Sequence, residues 1–184
     1  MRTGTKGGQL KVLSEEQVHD IHLATLNLLK THGVEIRHEG ILKMLGEAGA
    51  DVDFRRQVAL FPEYLVEESI RKAPKSIRCC GRDPKEDFLL EGSRTYFGPC
   101  SGSVYFIDLE TGGKRRGILS DVKTVARVCD CLENIDFVMG LTGPSDVPSG
   151  VVGLYEQYGV MTSTRKHALL YAYHGAELTR AMIK

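Results

Sequence analysis

Side chains with chemistry to offer crowd into one stretch, TYFGPCSGSVYFIDLETG, from Thr95 to Gly112. Tyr96, Phe97 and Tyr105 present flat, electron-rich faces that pack against apolar groups or cations. The interleaved glycines let the backbone bend or approach a ligand closely. A loop of this composition, held between two strands, suits the recognition of a small molecule. Within it, Gly98-Pro99-Cys100-Ser101-Gly102 matches the G-x-C-x-G pattern of a nucleophile elbow, which would make Cys100 the nucleophile of a cysteine hydrolase. That elbow needs a strand, a sharp turn and then a helix whose N-terminus helps form the oxyanion hole. The next residues, Val104-Tyr105-Phe106-Ile107, are a β-prone run, so a glycine-permitted bend lining a pocket accounts for the segment better. No complete catalytic set is visible, and catalytic residues stay unassigned.

Tyr173 and His174 leave an apolar run, His167 to Tyr173, at its C-terminal end. In β/α barrels that end meets substrate, whereas the end at which His167 enters serves stability. Tyr173 and His174 are therefore candidate site residues. His19 and His22 lie one turn apart without a Glu or Cys partner at ligand spacing, and read as packed or solvent-facing. The five cysteines form no C-x-x-C pair, and Cys129 and Cys131, two apart on a helix, point to different faces. They read as reduced packing thiols, with no metal site expected.

At 184 residues and 42% hydrophobic, the chain is long enough for one domain with a sizeable core. Its 24 basic and 24 acidic residues cancel, so no global field draws it to nucleic acid or anionic lipid. Lys114-Arg115-Arg116 beside a Gly-Gly turn reads as a solvated hairpin. No glycine-rich nucleotide loop occurs, and no apolar run approaches the roughly 20 residues of a membrane span. The start, MRTGTKGGQLKV, has no apolar core of a secretory signal, and a cytoplasmic location is expected.

The elements that must position these residues emerge from periodicity. Ser14 and Gln17 form a capping box for a helix whose Val18, Ile21, Thr25, Leu28 and Leu29 share a face, with Gly33 as its stop. A second helix carries Ile41, Met44, Leu45 and Ala48. After a turn and a short extended piece from Val52 to Leu60, a third helix opens at Phe61-Pro62, with Leu65, Val66, Ser69, Ile70 and Ala73 inward, and ends at Pro74. Short strands are expected at Ser76 to Gly81, Asp87 to Glu91, Thr95 to Gly98 and Val104 to Leu109. A Glu110–Gly113 hairpin turn and a return strand come next. A helix capped by Ser120 or Asp121 buries Val122, Val125, Ala126, Cys129 and Leu132. Then come a strand (Ile135 to Leu141), a helix (Val151 to Thr164), a strand (His167 to Tyr173) and a helix from Ala176. Buried strands alternating with helices imply a parallel α/β sheet joined by crossovers. About eight such units close a TIM (β/α) barrel, so a partial barrel, and a chain that is the N-terminal part of a longer protein, are expected. The expected divisions are a flexible lead-in over 1–13, an N-terminal helical extension over 14–74, and the truncated first part of a barrel over 75–184.

The succession of segments resembles the N-terminal region of the trimethylamine methyltransferase family, the corrinoid-dependent methylamine and betaine methyltransferases. The matching pieces are LSEEQVHDIHLATLNLLKTHGVEI (Leu13 to Ile36), LGEAGADVD (Leu45 to Asp53), FPEYLVEESIRKAP (Phe61 to Pro74), GRDP (Gly81 to Pro84), TYFGPCSGSVYFIDLETG and LSDVKTVARVCDCLENIDFV (Leu119 to Val138). The resemblance implies a TIM barrel with a helical extension. It also implies transfer of a methyl group from a tertiary or quaternary amine, such as trimethylamine or glycine betaine, to the cobalt of a separate corrinoid (cobalamin) protein. No cofactor would bind this chain directly. One branch of the family uses pyrrolysine, at a position that would lie beyond Lys184. A quaternary ammonium has no proton to donate and is held by cation–π contacts and apolar packing. Tyr96, Phe97 and Tyr105 could wall such a cage, Tyr96 and Phe97 from the C-terminal end of the first barrel strand, or they could fill the barrel core. The implied partners are the corrinoid protein and the methylated amine, with homo-oligomerisation open, and the chain alone would be inactive. A non-catalytic quaternary-amine-binding domain and a cysteine hydrolase are the alternatives.

Overall fold

The computed structural model describes residues 1–8, 10–171 and 175–183. They fall into two units, Gly8–Pro74, and Met1–Gly7 together with Lys75–Lys184. The chain opens with β1 (Thr5–Lys6), which belongs to the second unit.

In the unit Gly8–Pro74, α1 (Glu15–Thr31) begins on the expected capping box. Ser14 Oγ accepts the Gln17 N–H at 3.2 Å, and Gln17 Oε1 accepts the Ser14 N–H at 2.9 Å. After β2 (Val34–Glu35) comes α2 (Glu39–Glu47), whose first turn is capped by His38 Nδ1 accepting from Ile41 N–H. The region expected as a turn and one extended piece is a full hairpin, β3 (Asp51–Asp53) and β4 (Val58–Leu60). Its tip is folded by Asp53, whose Oδ1 accepts the N–H groups of Arg55 and Arg56. The hairpin recruits β2 to give an antiparallel sheet of order β2-β4-β3. α3 (Glu63–Lys72) comes after Pro62, which stands just outside the helix as its N-cap.

Burial in this unit differs from the periodic reading. Leu26, Leu42, Ala50 and Ala59 are its buried apolar residues, while Val18, Ile21, Leu28, Met44 and Ile70 are each more than half exposed. The stripes make the helices amphipathic, but within this unit only part of each stripe meets another element.

In the second unit, β5 (Ser76–Cys79) and β6 (Phe88–Glu91) pair antiparallel around a 3-10 turn at Pro84–Glu86. β7 (Arg94–Thr95) pairs antiparallel with β1, Thr95 opposite Thr5. The opening residues, expected as part of a flexible lead-in, thus belong to the unit that also contains Lys75–Lys184. β8 (Tyr105–Ile107) and β9 (Lys114–Arg116) form the expected hairpin.

Next, α4 (Leu119–Cys131) starts differently from the expectation of a Ser120 or Asp121 cap. Ile118 is the N-cap, and Asp121 reaches back from the third helical position to accept the Ile118 N–H at 2.9 Å. The Leu119 N–H is met by Asp146 from a distant loop. At the other end of α4, the buried Lys166 donates from Nζ to the carbonyls of Cys129 and Leu132, both at 2.6 Å. A cation placed there satisfies orphan carbonyls and opposes the negative end of the helix dipole. Burial holds the Lys166 ammonium below its ordinary range.

β10 (Phe137–Met139), α5 (Val152–Met161) and β11 (His167–Leu169) form a strand–helix–strand unit, and α6 (Ala176–Ile183) comes after it. β10 and β11 pair in parallel, Phe137 opposite His167 and Met139 opposite Leu169, with α5 as the crossover. Val122, Ala126 and Cys129 of α4 and Val160 of α5 form one buried cluster with Val138, and Ala168 packs against it. Those helices therefore cover one face of the parallel pair. The architecture is mixed α/β, and none of the sheets among the described residues closes. No helix among them is long and apolar enough to cross a membrane.

Candidate functional site at the ends of the parallel segments

Segment 97–103 runs beside β10. The Asp136 N–H donates to the Phe97 carbonyl at 2.7 Å, and further along the Ser103 N–H donates to the Leu141 carbonyl at 2.8 Å. Both partners advance together, so the segment lies parallel to β10, and the order across the face is 97–103, β10, β11. It forms no regular strand for local reasons. Pro99 has no N–H to give to a ladder, and at Gly98 the space a Cβ would need is filled by the Phe137 ring. This order defines two ends with different chemistry.

At the N-terminal end, the buried Phe88 packs on Tyr96 with ring centroids 4.4 Å apart, on Phe137 at 6.4 Å, and edge-on against His167 at 5.6 Å. His167 Nδ1 lies 2.9 Å from the Cys80 carbonyl. The buried Asp136 carboxylate accepts the Phe97 N–H on Oδ2 at 2.8 Å and Arg2 Nε on Oδ1 at 2.7 Å. Arg2 also donates to Glu86 at 2.7 Å and to the Glu133 carbonyl. Tyr96 and Phe97, expected at the C-terminal end of the strand, are level with the first residues of β10 and β11. The reason is that the chain continues alongside β10 through Gly98 and Pro99 to Ser103, a composition that reads as loop. The Tyr96 ring also lies against Gly4, and its phenol oxygen is buried without a hydrogen-bond partner. Phe97 is half exposed on the side of Arg2 and Asn134.

At the C-terminal end, Ser101 Oγ donates to the Tyr171 phenol oxygen at 3.0 Å. Thr142 is buried there, its methyl and hydroxyl in the space a Cβ on Gly117 would need. Glu156, also buried, places its carboxylate where a side chain on Gly140 would stand. Cys100 is exposed, with its thiol 3.4 Å from the Ser101 carbonyl. The next regular element is the strand β8, so Cys100 lacks the helix that a nucleophile elbow requires after it.

Tyr105 stands apart on the β8–β9 hairpin, where Lys114 Nζ lies 4.0 Å from its ring centroid and already supplies a cation to that face. The hairpin is fixed by Arg115, which bridges Asp108 at 3.2 Å and Asp121 at 2.6 and 2.9 Å. The Asp108 carboxyl is held down to about 2, first by the Thr111 N–H and then by Arg115 and the Thr111 hydroxyl. Arg115 holds Asp121 low against the opposing effect of burial.

The structure does not gather Tyr96, Phe97 and Tyr105 into one cage, and Tyr173 and His174 lie outside the described residues. Ser101, Thr142, Glu156 and Tyr171 are the residues that sequence reasoning passed over. A signal for Tyr171 existed, since it stands two residues before Tyr173 and so shares its face in an extended run. Among the described residues no three His, Cys, Asp or Glu side chains come together as a metal site, and His22 is paired instead with Glu67 at 2.6 Å.

Comparison with known proteins gives a consistent answer. Residues 3–182 match the family described as trimethylamine methyltransferase (MTTB). The chain is 33% identical over 165 residues to trimethylamine methyltransferase MttB of Desulfitobacterium hafniense (strain DSM 10664 / DCB-2), covering 90% of this chain and 33% of that protein. It is 27% identical over 173 residues to trimethylamine methyltransferase MttB of Methanosarcina thermophila, covering 88% and 34%. It is 28% identical over 156 residues to glycine betaine methyltransferase of Desulfitobacterium hafniense (strain Y51), covering 84% and 32%. The chain thus spans about a third of the length of these curated relatives.

Proposed function

Because this chain belongs to the trimethylamine methyltransferase family, we propose that it is the N-terminal part of a methyltransferase that takes a methyl group from a methylated amine. The amine is trimethylamine, glycine betaine or a related quaternary ammonium, and the acceptor is the cobalt of a corrinoid on a separate partner protein. The observation that carries this reading is the match across residues 3–182, with relatives named for both trimethylamine and glycine betaine.

Physical features support it. The parallel order 97–103, β10, β11, with α4 and α5 on one face, is what the opening strands of a TIM barrel require. Residues 14–74 serve as a helical extension to that barrel. At the C-terminal ends of the segments the lining is aromatic and hydroxylic, which suits a cation that has few or no protons to donate. The chain's part in catalysis is to bind and orient the amine so that its methyl carbon faces the approaching corrinoid, while the methyl transfer itself is the cobalt's chemistry. Spanning about a third of its relatives' length, the chain supplies only part of such a site.

The test is methyl transfer by the complete protein that carries this chain, with trimethylamine and with glycine betaine as donors and a Co(I) corrinoid protein as acceptor. Methylcobalt formation, followed by its absorption spectrum, is the expected result. No transfer from any methylated amine overturns the reading.

A further inference from the structure

Three neighbouring segments contribute to the C-terminal rim, and one side-chain contact spans them. Ser101 belongs to segment 97–103 on one side of β10, and Tyr171 lies just past β11 on the other. Their hydroxyls, 70 residues apart in sequence, meet at 3.0 Å across the end of β10. In a β/α barrel, side chains from alternate strands share a layer facing the axis. A first-to-third-segment bond is the signature of that arrangement. The bond pins the tip of Tyr171 while 41% of the residue stays exposed. A phenol whose oxygen is held at a fixed point has its ring orientation largely set, because only two torsions separate ring from backbone.

The other aromatic candidates do not combine these properties. Tyr96 is enclosed at the opposite end against Phe88 and Gly4, and Phe97 is level with Asp136 at that same end. Tyr105 stands on the β8–β9 hairpin, with the Lys114 ammonium over its ring. Tyr171 is left as the described ring that is both at the C-terminal end and oriented by a second residue.

Resting on the methyltransferase reading, we propose that Tyr171 is an aromatic wall for the substrate's methylated ammonium group, and that Ser101 is a positioning residue that sets the ring through its hydroxyl. The same geometry gives substrate selection. A cation with methyl groups on its surface gains from an oriented ring face, whereas a primary ammonium that needs hydrogen-bond acceptors gains less.

The experiment uses the complete protein with its corrinoid acceptor. It pairs steady-state kinetics with calorimetric binding of trimethylammonium, glycine betaine and tetramethylammonium. Tyr171→Leu is expected to weaken binding and raise KM roughly ten-fold, with kcat changed by less than about two-fold, the range a lost cation–π contact allows. Tyr171→Phe and Ser101→Ala are each expected to raise both the dissociation constant and KM by about three-fold. Adding Ser101→Ala to Tyr171→Phe is expected to change nothing further, since the bond from Ser101 to the phenol is already gone. Ser101→Thr, which keeps the hydroxyl, restores wild-type values. If Tyr171→Leu fails to fold, Tyr171→Met, a flexible apolar side chain that fills irregular space without an aromatic face, takes its place. Wild-type binding in folded Tyr171→Leu, or in Tyr171→Met where that variant decides, overturns the wall, and wild-type binding in Tyr171→Phe overturns the positioning role. Additive Tyr171→Phe and Ser101→Ala effects overturn the positioning role. Tyr171-dependent binding without methyl transfer retires the transferase reading and leaves this assignment standing. Failure of the wild type to bind any of the three cations overturns the assignment itself.

Discussion

At the N-terminal ends of segment 97–103, β10 and β11, the rings of Tyr96, Phe137 and His167 pack on Phe88, and Asp136 is bonded to both Arg2 and the Phe97 backbone. At the C-terminal ends of the same segments stand Ser101, Thr142 and Tyr171, small or hydroxylic apart from one ring. The backbone is shared, so the difference lies in what caps it. The first end brings in residues distant in sequence to cover apolar surface and satisfy charge, and that consumes its side chains in mutual contacts. The second buries Thr142 but leaves Tyr171 exposed, with its phenol bonded to Ser101. A β/α barrel would divide its two faces in the same way.

The comparison is broken most directly at Asp136. Its carboxylate meets the Arg2 guanidinium and the Phe97 N–H, so Asp136→Ala leaves the Phe97 amide without that partner and takes from the part-buried Arg2 one of its two carboxylates, Glu86 being the other. A loss of about 3 kcal/mol is expected, read from the denaturant midpoint. Asp136→Asn, which can still accept from Phe97, should lose less. A cost below about 1 kcal/mol for the alanine variant would mean that this end is no more tightly tied than an ordinary surface.

Gly140→Ala probes the layer behind the other end. Its Cβ would enter the space of the buried Glu156 carboxylate, so about 2 kcal/mol of overpacking is expected in the same unfolding measurement. Tyr96→Phe should act in the opposite direction. It removes a buried hydroxyl that has no partner, so stability should rise by about 1 kcal/mol, with methyl transfer unchanged. A fall in transfer rate would return Tyr96 to the substrate site and weaken the contrast between the ends.

Much of this arrangement is legible in the sequence, for identifiable reasons. The Ser14–Gln17 capping box, the stop before Pro74, the hairpin around Gly112 and the strand–helix–strand run after Ile135 rest on local chemistry, which sequence records directly. What sequence hides is non-local. β1 pairs with β7, and Arg2 reaches Asp136, 134 residues away, so an apparent lead-in is part of the strand-bearing unit. Segment 97–103 reads as a loop because Gly, Pro and Ser dominate it, and it does bend at Ser101, yet backbone bonds at both its ends hold it alongside β10. That one difference puts Tyr96 and Phe97 at the end opposite to the expected one, and it draws attention to Cys100 in place of its neighbour Ser101. The Ser101–Tyr171 bond itself leaves no trace at any short spacing.

The smallest expected effect concerns the β8–β9 hairpin, which reaches the C-terminal end through Gly117 and Thr142. Its turn is held by Asp108, whose Oδ1 accepts the N–H groups of Glu110 and Thr111 and the Thr111 hydroxyl. Those bonds and Arg115 lower the folded carboxyl to about 2, with the Thr111 N–H as the largest cause. An unfolded aspartate titrates near 3.9, a value typical of free peptides. The folded pKa is the lower one, so the stabilisation is complete above the unfolded value and is lost as pH falls from about 4 toward 2. Hydrogen exchange at the Thr111 amide, corrected for its intrinsic pH dependence, should show constant protection from pH 7 to about 5, then a decline in acid. Asp108→Asn should lower that protection at neutral pH and flatten the acid decline. Acid loss beginning above about pH 5 would show that a different group holds the turn. The hairpin would then no longer share the carboxylate anchoring that Asp136 gives the opposite end, and the two ends would differ in how their covers are fastened as well as in what they expose.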